Sequence, residues 1–195
     1  MFYFPAEYFL QVYSLPLIAE VKFQNDYFSE YPEQIRFGSN AYGGLRLHTT
    51  GSYTRKSGYY AIHYNNQPQT VAAGAILQLN DGAIAVFSGE PNPSEPNTLT
   101  PIYTVQPNGS LAVPTGLVFI RFAEGVNAKS QRELINRAGY EITQILDYAP
   151  HGAWLRARSG NIADAIAGIP QLEAIPKVEN IEPQMLMERG LRQGR

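Results

Sequence analysis

The stretch from Gly116 to Pro183 limits what this chain can fold into more than any other, because two strand-helix-strand patterns follow one another there. Leu117-Val118-Phe119-Ile120-Arg121-Phe122 is β-branched and aromatic, and a polar segment of helical spacing separates it from a second such run, Tyr140 to Leu146. The order then repeats with Ala153 to Ala157 as a strand, Asn161 to Ile169 as a helix and Ala174 to Ile181 as a strand. Asn127 and Asn161 stand where helix N-caps belong, and Gly139 stands where a left-handed C-terminal stop belongs. Ile162, Ala165, Ile166 and Ile169 fall at the spacing of one apolar helix face.

This βαββαβ order predicts a ferredoxin-like domain. Upstream, short strand-like runs alternate with turn residues: Gln34 to Gly38, Gly44 to Thr50, Gly58 to Tyr64, Thr70 to Leu79 and Ala83 to Ser88. Met1 to Gln24 is aromatic and interrupted by Pro5 and Pro16, which suits edge strands. Pro91, Pro93 and Pro96 make Glu90 to Thr100 an extended loop, and Asn108-Gly109 centres a final hairpin. Pro114-Thr115-Gly116 then forms a seam. The expected fold class is therefore α+β: an antiparallel β-rich domain over residues 1–113, a sandwich or barrel, followed by the ferredoxin-like domain over residues 114–195.

Composition narrows the function. The 195 residues carry a net charge of −2, which divides at the seam into −3 (5 basic, 8 acidic) and +1 (10 basic, 9 acidic). Neither part has the strong positive charge of a dedicated DNA binder. No cysteine is present, so disulfides, thiolate catalysis and cysteine-ligated zinc are excluded. Met1 to Glu7 lacks the basic start of a signal peptide, and no run approaches membrane-spanning length. As written, the chain reads as cytoplasmic, and as extracellular if it comes from a trimmed secreted precursor.

Catalytic constellations are also missing. No Gly-x-Ser-x-Gly elbow or comparable nucleophile segment occurs, and His151-Gly152 falls in the turn expected between two strands. His48 and His63 sit on separate strand-like runs without a neighbouring ligand motif, so no metal site and no cofactor are expected. Gly38 to Gly44 is glycine-rich but lacks the lysine of a phosphate-binding loop, and it reads as a turn.

In the second part, alternation puts Val118, Ile120, Phe122 and Leu155 on a core face and Phe119, Arg121, Trp154 and Arg156 on the other. A one-residue slip would exchange the two sets. The run Leu117 to Phe122, the Arg137-Ala138-Gly139-Tyr140 helix exit, the strand Ala153 to Ala157 and the pair Ile169-Pro170 precede the closing Val178-Glu179-Asn180-Ile181-Glu182-Pro183. Over about residues 116 to 185 this succession resembles the propeptides of subtilisin-like serine proteases; it departs from them in the longer link Gln171 to Lys177.

The resemblance implies an inhibitor and intramolecular chaperone of a subtilisin-like serine protease, acting in cis or in trans. The protease would bind on the open sheet face, at Phe119, Arg121, Trp154 and Arg156, with Met185, Leu186 or Met187 of an extended tail in its cleft. No nucleic acid and no membrane is an expected partner. The competing reading is a ferredoxin-like RNA-binding or protein-interaction module, which the single aromatic of Gly152-Ala153-Trp154-Leu155-Arg156 and the near-neutral charge disfavour. The tyrosines of the first part, Tyr53, Tyr59, Tyr60 and Tyr64, would suit either a carbohydrate or protein surface or ordinary sheet packing.

Overall fold

The computed structural model describes residues 26–39, 51–64, 72–92, 94–105 and 109–188. The expected edge strands in Met1 to Gln24, the strand Gly44 to Thr50 with His48, and the turn at Asn65 to Pro68 lie outside the described residues.

Nine strands pair as one antiparallel sheet among the described residues. They are β1 (Gln34–Ser39), β2 (Gly51–His63), β3 (Leu77–Leu79), β4 (Ile84–Ser88), β5 (Thr98–Val105), β6 (Leu111–Phe122), β7 (Tyr140–Leu146), β8 (Ala149–Ala157) and β9 (Val178–Met187). Their order is β3-β4-β2-β1-β9-β6-β8-β7, with β5 paired to both β2 and β6. The helices are short: α1 (Arg132–Arg137) after a 3-10 turn at Ala128–Gln131, then α2 (Ile162–Ala167) and α3 (Ile169–Glu173).

This corrects the expected fold class. In place of a β-rich domain followed by an α+β ferredoxin-like βαββαβ domain, one nine-stranded antiparallel sheet runs through the described chain, with little helix against it. The physical reason lies in β6 and β9. Pro114-Thr115-Gly116 does not break the chain but forms an irregularity inside β6, where the pairing with β9 shifts between Pro114 and Val118. Gly116 takes φ +86 there, a left-handed conformation that glycine adopts without a Cβ penalty. Both strands therefore extend past the seam, and β2, β1, β9, β6 and β5 pair in a closed circuit. The helices are short for local reasons. Gly168 ends α2 and Pro170 opens α3, so Gln171 to Lys177 is a short helix and turn rather than an open link.

Local signals nonetheless act where they were read. The Asn127 side chain accepts from the Lys129 amide and that of Asn161 from the Ala163 amide, each at 2.8 Å. Gly139 takes φ +91 after α1. Val118, Ile120, Phe122 and Leu155 are fully buried, together with Ile135, Ile166 and Leu172 from the helices.

Two apolar cores lie on opposite faces of the sheet. Tyr103 and Ala112 enter the larger one, beneath the helices, while their chain neighbours Ile102 and Val113 enter a second, smaller one. Three of the four tyrosines of the first part are used in packing. Tyr53 is buried with its ring 4.5 Å from Phe37, Tyr60 stacks on Phe87 at 5.4 Å, and Tyr59 borders the second core. Tyr103 donates to the Pro32 carbonyl at 2.8 Å, and burial raises its phenol pKa well above the usual tyrosine value.

Gly168 shows how tightly the helices are seated. A Cβ there would stand 2.5 Å from the Tyr140 hydroxyl, which donates to the Ala165 carbonyl at 2.8 Å, and 2.9 Å from the Asp164 carbonyl oxygen. Gly168→Ala is expected to cost about 2 kcal/mol, the range of core overpacking. Denaturant midpoints of the two proteins measure it, and an unchanged midpoint would show that Tyr140 can move aside.

Candidate functional site: the sheet face opposite the helices

The strands β6, β8, β7 and β9 turn one set of side chains toward the helices, and the alternate set faces away. Phe119 lies opposite Trp154 in the β6–β8 register, and their rings meet at 5.3 Å with an interplanar angle of 57°. Both are half-buried. Gly152 makes this arrangement possible: a Cβ at that position would stand 3.2 Å from the Phe119 ring. Trp154 is further fixed through its backbone, whose carbonyl accepts from the Thr143 hydroxyl at 3.0 Å.

Charged groups surround the aromatic pair. Arg121, two residues along β6, approaches the Glu179 carboxylate with its Nε 3.7 Å from Oε2, and that Nε is buried without a hydrogen-bond acceptor. Arg156, two residues along β8, pairs with Glu141 across the β7–β8 register. Glu182 stands opposite Phe119 on the other side of β6. Since Arg156 and Glu141 are both well exposed, their ion pair contributes at most about 1 kcal/mol to stability. The four expected face residues are thus brought together on two adjacent strands. Sequence reading missed their acidic neighbours and Gly152, because cross-strand partners depend on register rather than on any local motif.

The expected tail residues are placed elsewhere. Met185, Leu186 and Met187 belong to β9 and pair with Pro114, Val113 and Ala112 of β6. Met185 packs against the larger core and Leu186 against the smaller, while Met187 is 41% exposed. The Gln184 side chain receives a 2.7 Å hydrogen bond from the Thr115 hydroxyl, which ties the segment to the irregularity in β6.

Other chemistry-bearing groups are dispersed. Among the described residues no three His, Asp or Glu side chains gather as a metal site, and no helix is long and apolar enough to cross a membrane. His151 lies half-buried within β8. His63 makes a 3.0 Å contact through Nε2 with the hydroxyl of Thr100, a fully buried polar residue, and burial lowers its pKa to about 4.

No protein-family model, curated protein or solved structure matches the chain.

Proposed function

We propose that this chain is a protein-binding module that acts on a subtilisin-like serine protease, as inhibitor or folding aid, through the face built from Phe119, Arg121, Trp154 and Arg156. The observation that carries this reading is the Phe119–Trp154 pair, two half-buried rings held in contact on the side of the sheet away from the helices. Large aromatic side chains and arginines make strong anchors at protein interfaces when a partner removes their remaining exposure from water. The surrounding ion pairs give the face a mixed charge, which suits a protein surface better than a polyanion. An RNA-binding reading is weakened by the same pairs, because Arg121 and Arg156 each already face a carboxylate.

The paired position of Met185 to Met187 changes the expected binding mode. Those residues hold the sheet together, so the face carries the binding and no product-like contact is assigned to them. Inhibition constants against a panel of subtilisin-like proteases test the reading, with the intact chain compared with Trp154→Ala. The substitution is expected to weaken inhibition tenfold or more, the scale of an interface anchor. Equal inhibition by the variant would remove the face from the proposal. If the intact chain neither inhibits any member of the panel nor assists refolding of a catalytic domain, the whole reading fails.

A further inference from the structure

The second core draws on six strands. Leu77 and Leu79 come from β3, Ile84 and Val86 from β4, Tyr59 and Ala61 from β2, Ile102 from β5, Leu111 and Val113 from β6, and Leu186 from β9. Each of these strands pairs with the next in the series β3, β4, β2, β5, β6, β9. The two ends of the series do not pair with each other: among the described residues β3 bonds only to β4, and the stretch Met185 to Met187 only to β6. A groove of about 660 Å³ lies between them, lined by Leu77 to Gly82 on one side and Leu186 to Glu188 on the other.

We propose that this groove binds an extended peptide segment of a partner protein, apolar in alternate positions and basic in between, by adding its backbone to a free strand edge. Two observations give the occupant its chemistry. Among the described residues, the edges of β3 and β9 at the groove have no strand partner, and they offer backbone donors and acceptors in strand geometry, which an extended chain satisfies. Leu77, Leu79, Leu186 and the partly exposed Met187 give the groove an apolar surface, with Ile76 beside β3 at 51% exposure.

Charge fixes the rest. Asp81 and Glu188 are exposed at the groove, and no Lys or Arg stands among its described lining residues, so a peptide with basic side chains is favoured over an acidic one. The site is separate from the Phe119–Trp154 face and does not depend on a protease being the partner there.

The test uses the full chain and two capped pentapeptides, Lys-Val-Lys-Val-Lys and Glu-Val-Glu-Val-Glu, followed by amide NMR titration. The basic peptide is expected to shift the signals of residues 77–82 and 186–188 saturably, and the acidic one is expected to leave them in place. Asp81→Asn should weaken binding about twofold to fivefold; Asp81 has φ +52, and asparagine tolerates that left-handed backbone. No saturable shift with the basic peptide, equal binding of the acidic one, or undiminished affinity in Asp81→Asn would each overturn the proposal.

Discussion

A chain ending at Pro183 is expected to be less stable than one ending at Glu188 by about 3 kcal/mol. Pro183 is where the sequence places the closing motif, and a free tail beyond it could be removed without consequence. The structure assigns those residues differently. Truncation at Pro183 removes the β9 segment that pairs with Ala112, Val113 and Pro114, withdraws Leu186 from the second core and Met185 from the first, and strips the Gln184 acceptor from Thr115. Half-burial of two large apolar side chains, added to lost strand pairing, accounts for a loss of this size. Denaturant unfolding of the two truncated chains measures it.

The functional consequence follows from the same comparison. A chain ending at Glu188 keeps β9 whole, so any change in protease inhibition between it and the intact chain reports on residues 189–195 alone. Inhibition lost only on cutting at Pro183 reports unfolding and must be read beside the stability data. Equal stability of the two truncated chains would show that Met185 to Met187 contribute nothing to the sheet, and would return them to the role of a free tail.

The second large effect is a loss of stability in mild acid, centred on His63. Burial holds its imidazole near pKa 4, while an unfolded chain would protonate it near the ordinary value of about 6.5. Above about pH 6.5 both states carry the neutral ring, and this group's contribution to stability is fully present. As the pH falls from there toward 4, the unfolded state takes up a proton that the folded state refuses, so stability declines. Below about pH 4 both states are protonated and this residue causes no further loss. The difference in proton affinity between the folded and unfolded imidazole sets the total at about 3 kcal/mol.

His63→Gln checks the assignment, because the amide can still reach the Thr100 hydroxyl but does not titrate. Its unfolding free energy should fall less steeply than that of the parent between pH 6.5 and 4. Parallel slopes for the two proteins would place the acid sensitivity on other groups.

The nearness of His63 to Thr100 illustrates why part of this molecule could not be read from its sequence. His63 is followed by polar residues on a strand-like run, and nothing local distinguishes an exposed strand histidine from a buried one. What buries it is the pairing of β2 with β4 on one side and β5 on the other, which brings Ile84 and Thr98 into register with it. The same holds for the face of Phe119 and Trp154. Alternation within each strand separated these residues from Val118, Ile120 and Leu155, but their ring contact and the placing of Glu141 and Glu179 beside the arginines came only with the register.

What the sequence determined by itself was local: the Asn127 and Asn161 caps, the glycine stop at Gly139, the period-two alternation of β6 and β8, and the absence of thiol chemistry. These depend on residues a few positions apart, whose propensities act wherever the chain goes. Only the tertiary structure decided how far the sheet extends. Proline and glycine at 114 and 116 look like a domain seam, because each disfavours a regular strand interior. Here they are absorbed as an irregularity, since β9 pairs with β6 on both sides of it and β5 joins β6 to β2. Long-range pairing of this kind outweighs a local preference of about 1 kcal/mol, and it turns an expected boundary into the middle of a sheet.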